Sequence, residues 1–291
     1  MEDIDDSNMA NIEDEMALLI GQFGVHAPDL RGGRRRDHRR ALNRIVSEVY
    51  SPPRVTRMID RMPELKLVPG LAFDLGTTDP IDGQPWDFQF QVKRERAERI
   101  LKEQKPALII GSPMCKRYCS LQNINDLRRD PATVAREKVA AEVHMRFMCR
   151  LYRMQHEAGR FFLHEHPWQA SSWELSCVRA IIALSGVRRI MANQCQLGAK
   201  DVKGHPLRKP TGFMSNSAAI CEELNKKCHG RNGLCSGRRA VEDKPHGSCT
   251  GKTAKLAEKY SDVLCRCILK GIQGVARRRL VRGRWGGHDE A

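Results

Sequence analysis

At 291 residues with 41% apolar content, the chain is long enough for one substantial core, and its longest apolar runs, Ala107–Ile110 and Ala180–Leu184, fall far short of the about 18 residues that suggest a membrane span. The formal charge is +15, but residues 1–22 hold seven acids and no Lys or Arg, so the remainder carries +22 and points to a polyanionic partner. An acidic start where an export signal would be basic and then apolar, and eleven scattered cysteines, an odd number, predict an intracellular chain of reduced thiols and exclude a secreted disulfide scaffold.

In chain order, residues 1–43 read as an acidic tail and a Gly/Arg/Pro linker, holding Arg31, Arg34, Arg35 and Arg36. Short apolar runs alternating with helical periodicity then predict βαβ units and an α/β fold, a Rossmann-like, mostly parallel sheet with helices on both faces, over residues 44–216. Arg44–Tyr50 is the first expected strand, stopped by Ser51-Pro52-Pro53, with a short helix from Val55 to Arg61 after it. Gly70–Leu75 is the second. Val92, Arg96, Ala97, Ile100 and Leu101 mark a helix face, and Ala107–Ile110 a buried strand. The longest expected helix runs from Ala132 to His156, with Val139, Val143, Phe147, Leu151 and Met154 at helical spacing. A strand at Arg160–His164, a helix near Ser172–Leu184 and strands near Val187–Met191 and Thr211–Ser215 follow. Residues 217–275 read as a helical and irregular extension with a last helix at Lys252–Ile272, and residues 276–291 as a basic tail carrying Arg277, Arg278 and Arg279. The two arginine clusters suit phosphate contacts or an import receptor, so a nucleic-acid partner and a nuclear location are expected.

In open α/β sheets functional groups collect at the carboxyl ends of the strands. Glu48 and Ser51, Asp74, Asp87, Cys115 and Glu165 all fall at predicted strand ends or in the loops just after them. Cys115 follows a buried strand and precedes Lys116 and Arg117, a setting expected to lower a thiol pKa and make the thiolate reactive. Glu165, between an apolar strand and Pro167, is placed to present a carboxyl in a cleft. His164 and His166 share a strand face but lack a third ligand, so no metal is expected there. Gly247-Ser248-Cys249-Thr250-Gly251-Lys252-Thr253 has one residue too few between its glycines for a phosphate-binding loop. Cys221, Cys228, His229, Cys235 and Cys249 could form a zinc knot but lack any Cys-x-x-Cys pair, so the cysteines read as scattered reduced thiols.

Several of these segments carry a resemblance. Ser112-Pro113-Met114-Cys115 is similar to the Ser-Pro-Pro-Cys nucleophile loop of DNA cytosine-5 methyltransferases, and Glu165-His166-Pro167 to their Glu-Asn-Pro segment. Cys195-Gln196-Leu197-Gly198, then Lys209-Pro210-Thr211 and Ser215-Asn216, resemble the pattern of diverged phage and retroelement forms. Glu48-Val49-Tyr50-Ser51 resembles the start of the family's cofactor loop. The resemblance covers residues 44–216 and implies an S-adenosylmethionine-dependent enzyme of a mobile element. On it Cys115 is the nucleophile and Glu165 the cooperating acid, while Glu48, Ser51, Asp74 and Asp87 would contact the cofactor, Asp74 at the ribose and Asp87 at the adenine. DNA is the implied partner, with RNA second. Ser51-Pro52-Pro53-Arg54 stands where the family has a glycine-rich turn, so a second reading is kept open: a non-catalytic nucleic-acid-binding module of a retroelement polyprotein.

Overall fold

The apolar runs with little alternation become the strands of one sheet buried on both faces. The computed structural model describes residues 44–119, 122, 125–237, 244–249, 253 and 257–284, with side chains of the last helix described as far as residue 273. The strands are β1 (Ile45–Val49), β2 (Val68–Phe73), β3 (Leu108–Gly111), β4 (Phe161–Pro167), β5 (Arg188–Asn193) and β6 (Pro210–Ser215), in the spatial order β2-β1-β3-β4-β6-β5. β1 to β4 run parallel, and β6 runs antiparallel to both of its neighbours. The sheet is therefore mixed, with a single reversed strand among those described. From β1 the chain goes outward to β2 and then returns to the other side of β1 for β3, so the strand order reverses between β1 and β3. The crevice outside the carboxyl ends of those two strands is where an open α/β sheet takes its ligands.

Side-chain alternation divides the strands between two cores. Val49, Phe73, Ile109 and Phe162 face α2 (Gln91–Gln104), α3 (Pro131–Glu157) and α4 (Ser176–Ile182), meeting Ala97, Leu101, Phe147, Leu151, Tyr152 and Ile181. On the opposite face, Val46, Leu108, Ile110, Leu163 and Phe213 pack with Val55 and Ile59 of α1 (Val55–Ile59), Ile220 and Leu224 of α5 (Ala218–Leu224), and Leu264 and Ile268 of α6 (Asp262–Arg284). Residues beyond Asn216, read from the sequence as an extension, thus supply two helices to the same core as the strands. Burial on both faces explains why the parallel strands read as apolar runs.

Local chemistry sets the helix ends. Asp130 accepts a hydrogen bond from the Thr133 amide at 2.8 Å and Pro131 opens the first turn, so α3 starts there. Only the C-terminal half of α3, from His144 to Gln155, is continuously against the sheet, and this is why Val139, expected on the buried face, is 67% exposed. Val92, likewise expected to be buried, is 55% exposed because α2 turns Lys93, Ala97, Ile100 and Leu101 inward. The last helix begins ten residues later than the expected Lys252, at Asp262, where Ser261 Oγ accepts from the Leu264 amide at 3.1 Å as its cap. At Gly111, a Cβ would lie 2.1 Å from Tyr152 Oη, so glycine is what lets α3 lie this close to β3. No helix among the described residues is long and apolar enough to cross a membrane.

Candidate active site

Two neighbouring strands and one loop build the site. Cys115 follows β3 across the turn Ser112-Pro113-Met114, and Glu165 lies on β4 opposite Phe213 of β6. Because β6 runs against β4, its first residues lie at the carboxyl edge of β4, which brings Lys209 to the same place. The Lys209 ammonium donates to the Ala257 carbonyl at 3.1 Å. That contact holds the 257–260 segment over the edge, where the Tyr260 hydroxyl hydrogen-bonds Ser112 Oγ. Cys115 consequently feels the charges of Lys209, Glu165 and Glu258 together. Lys209, Glu258 and Tyr260 had no assigned role in the sequence; Lys209 stood out there only through the resemblance of Lys209-Pro210-Thr211 and its place directly before a strand, which becomes informative once that strand is known to be reversed.

The thiol is not activated in the way the sequence suggested. Burial pushes the Cys115 pKa up, Glu165 and Glu258 add to the rise, and Lys209 opposes it. Lys116 and Arg117 were expected to lower it, but the Arg117 guanidinium is turned onto Asp126 and Glu137 and its charge is matched there. Glu165 also has a raised pKa, caused by burial and opposed by Lys209. The thiol therefore holds its proton at neutral pH, beside a carboxyl whose proton affinity burial has raised and the Lys209 ammonium.

This arrangement predicts opposite effects from its two charged neighbours. Alkylation of Cys115 by iodoacetamide, followed by mass spectrometry between pH 7 and 10, reads the thiolate fraction. Glu165→Gln removes a negative charge that raises the thiol pKa, so labelling at neutral pH speeds up; Lys209→Met removes the lowering charge, so labelling slows. Each change is expected to be about three- to tenfold, equivalent to half to one pKa unit. If the two variants shift labelling in the same direction, the side chains are not electrostatic neighbours of this sulfur.

The four residues expected to contact a cofactor divide into two pairs. Glu48 is fully buried, and its Oε1 accepts from the amides of Arg54 and Thr56 and from Thr56 Oγ1, each at 2.9 Å, while Oε2 accepts from Ser51 Oγ at 3.0 Å. This carboxylate fastens the loop into α1 and offers nothing to a ligand; Ser51 is taken up by the same contact. Pro52 and Pro53 add no amide donors, so this stretch does not fit the amino-acid end of S-adenosylmethionine. Asp74 and Asp87 are half-buried and each accepts one local amide, from Gly76 and Gln89 respectively, at 2.9 Å. A carboxylate has about four acceptor positions, so both retain capacity for hydroxyl or amino donors and fit the adenosine end. Asp87 also faces Tyr50 and His144, whose side chains are joined at 2.7 Å just past β1, and Asp74 follows Phe73 of β2, whose carbonyl accepts from the Tyr50 amide at 2.8 Å.

His164 and His166 point to the opposite face from Glu165. His164 Nδ1 pairs with the Tyr152 hydroxyl at 2.9 Å and His166 Nδ1 with Ser172 Oγ at 2.6 Å, beside the ring of Trp173. Burial keeps both imidazoles neutral, pulling His166 down to about 3. Arg31, Arg34, Arg35 and Arg36 lie outside the described residues; Arg277, Arg278 and Arg279 are on α6 beyond the described side chains.

No protein-family model and no curated protein matches the chain. Among solved structures it is similar to a methyltransferase of Entamoeba histolytica, EhMeth. The two share 12% identity and a TM-score of 0.35, over 59% of this chain and 52% of that one, so the chain spans about half the length of that neighbour.

Proposed function

We propose that the protein is a diverged DNA cytosine-5 methyltransferase of a mobile element, in which Cys115 is the nucleophile and Glu165 the acid. The observation that carries this reading is the juxtaposition of thiol, carboxyl and Lys209 at the carboxyl edge of adjacent strands, beside the point where strand order reverses. Carbon 6 of cytosine accepts a nucleophile only when the ring nitrogen is protonated or strongly hydrogen-bonded. An acid whose pKa is raised by burial is suited to that task, and Lys209 stabilises the thiolate as it forms. Addition of the thiolate makes carbon 5 nucleophilic, S-adenosylmethionine would supply its methyl group, and loss of the carbon 5 proton then expels Cys115. A base inside a duplex is out of reach, so the target nucleotide must be flipped, with Arg31, Arg34, Arg35, Arg36 and Arg277, Arg278, Arg279 holding the phosphates. Asp74 and Asp87 are the residues proposed to contact the cofactor; the mismatch at Ser51-Pro52-Pro53-Arg54 makes its binding the step to test first.

Purified protein is incubated with S-adenosylmethionine labelled in the methyl group and with cytosine-containing DNA, duplex and single-stranded. Label is expected in the DNA, with a fall of about 1000-fold or more for Cys115→Ser, as for loss of a covalent nucleophile. Non-covalent DNA binding should survive that substitution, weaken steeply with salt, and show a flatter salt slope when Arg277, Arg278 and Arg279 become alanine. Methyl transfer persisting in Cys115→Ser removes the proposed nucleophile. Salt-sensitive DNA binding by a chain that takes up no S-adenosylmethionine instead favours the non-catalytic module.

A further inference from the structure

Away from that edge, four side chains from three separated stretches meet. Cys195 lies in the short 3-10 helix Gln194–Leu197 that follows β5, Cys228 follows α5, and Cys235 and His246 flank an isolated antiparallel bridge between Leu234 and Pro245. Their four ligand atoms all lie within 4.8 Å of one another, and two of the cysteines are buried. Cys228 Sγ stands 3.8 Å from Cys235 Sγ and 3.5 Å from His246 Nε2. Those separations have a plain geometric meaning. With Zn–S of about 2.3 Å and Zn–N of about 2.0 Å, corners of a tetrahedron around one zinc ion stand about 3.8 Å apart for two sulfurs and about 3.5 Å apart for sulfur and nitrogen. A disulfide would need its sulfurs at about 2.05 Å.

The surroundings are arranged for metal as well. His246 Nδ1 donates to the Gly233 carbonyl at 3.0 Å, which fixes the tautomer that leaves the Nε2 lone pair facing the sulfurs. Gln196 Nε2 donates to Cys235 Sγ at 3.4 Å and Ser236 Oγ to Cys228 Sγ at 3.5 Å, contacts that steady thiolates. At Gly230 a Cβ would meet the Leu234 carbonyl at 2.0 Å, so the chain is folded back on itself tightly around the cluster.

We propose that Cys195, Cys228, Cys235 and His246 bind one zinc ion in a closed, structural site. Four protein ligands complete the tetrahedron and leave no position for water or substrate, so the ion is a brace and not a reagent. Soft thiolates with one imidazole in this geometry select zinc over the hard divalent cations. The site takes two members of the cysteine set that the sequence suggested, Cys228 and Cys235. Cys221 is buried near the Arg188 and Ser215 carbonyls and Cys249 is exposed. Of the other two ligands, Cys195 lies well before that stretch, and His246 lies within it, between Cys235 and Cys249, but was not counted with the cysteines. The brace connects to the proposed active site through two hydrogen bonds: Asn193 Oδ1 accepts from the Cys228 amide at 2.8 Å, and the next residue, Gln194, donates its amide to the Lys209 carbonyl at 3.0 Å.

The test uses the full chain purified under reducing conditions. Elemental analysis should give about one zinc per chain, and cobalt exchanged for it should show the intense visible bands and sulfur-to-metal charge transfer of a tetrahedral thiolate site. Cys228→Ser and Cys235→Ser are expected to lose the metal. Because loss of a structural ion also destabilises those variants, two others complete the test: His246→Cys should retain zinc and alter the cobalt spectrum, and Gln196→Ala should keep the fold while weakening zinc about tenfold in a chelator competition. Wild-type protein that binds no zinc on reconstitution, or an octahedral cobalt spectrum without charge transfer, overturns the proposal. So does zinc content unchanged in Cys228→Ser and Cys235→Ser.

Discussion

Asp79→Ala is expected to destabilise the fold by about 3 kcal/mol, because it leaves buried cations without their anion. Asp79 is fully buried and takes the Lys93 ammonium at 2.8 Å and the Arg96 guanidinium at 2.5 Å; Lys93 itself is buried and lies 5.2 Å over the Trp86 ring. Asp82 also pairs with both cations, at 2.6 and 2.9 Å, but stands at the surface and only partly compensates. The Asp79 carboxylate further accepts from the Ile81 amide at 3.1 Å, so the turn before α2 loosens with it. Equilibrium denaturation in urea reads the loss as a lower midpoint. The discriminating measurement is the double variant Asp79→Leu with Lys93→Met, which removes both members of the most buried pair and should recover much of the stability. If the double variant is as unstable as the two single losses added together, the charge pair is not the cause.

Glu48→Ala is expected to cost about 2–4 kcal/mol, since four donors lose their acceptor in a buried place and each such bond is worth about 1 kcal/mol or more. Glu48→Gln keeps an acceptor oxygen toward Thr56 and Arg54 and should lose distinctly less. The same variants also separate two roles for this residue. A cofactor contact predicts weaker S-adenosylmethionine binding at unchanged stability, whereas the observed bonds to Ser51, Arg54 and Thr56 predict lost stability first. Thermal unfolding without ligand distinguishes them, and an unchanged midpoint for Glu48→Ala would show that the loop does not depend on this carboxylate.

How much of this was legible in the sequence depends on what each residue answers to. β3 was readable because Leu108, Ile109 and Ile110 face two cores at once and must all be apolar. The length of α3 was readable from its periodicity and its Asp130-Pro131 start, but the buried face was not fully so, since Val139 obeys the period at a point where no sheet lies beneath it. Cys115 lies just past β3 as local order along the chain suggested, whereas Glu165, expected after a strand ending at His164, lies inside β4, which continues to Pro167 because β6 pairs with it there. The charges that tune them were misjudged. Arg117, two residues from Cys115, answers to Asp126 and Glu137, while Lys209, distant along the chain, arrives by a reversed strand. Glu48 illustrates the same limit: its residue type at a strand end suits a ligand contact, and only the bonds to the following loop show that it is a cap. Contacts of this kind depend on register and strand direction, which composition does not encode.

The place of β6 has a consequence for how the molecule is assembled. β5 joins the sheet solely through β6, although β5 comes first along the chain. When β5 emerges during synthesis its partner does not yet exist, and β4 likewise has one edge waiting. Strand addition therefore cannot follow chain order on this side: β1 to β4 can pair as they appear, but the far side waits for residues 210–215 and then closes as a unit. A ribosome pause or truncation before residue 210 would leave two exposed strand edges at once, and the hazard of mispairing is concentrated in that one interval of translation.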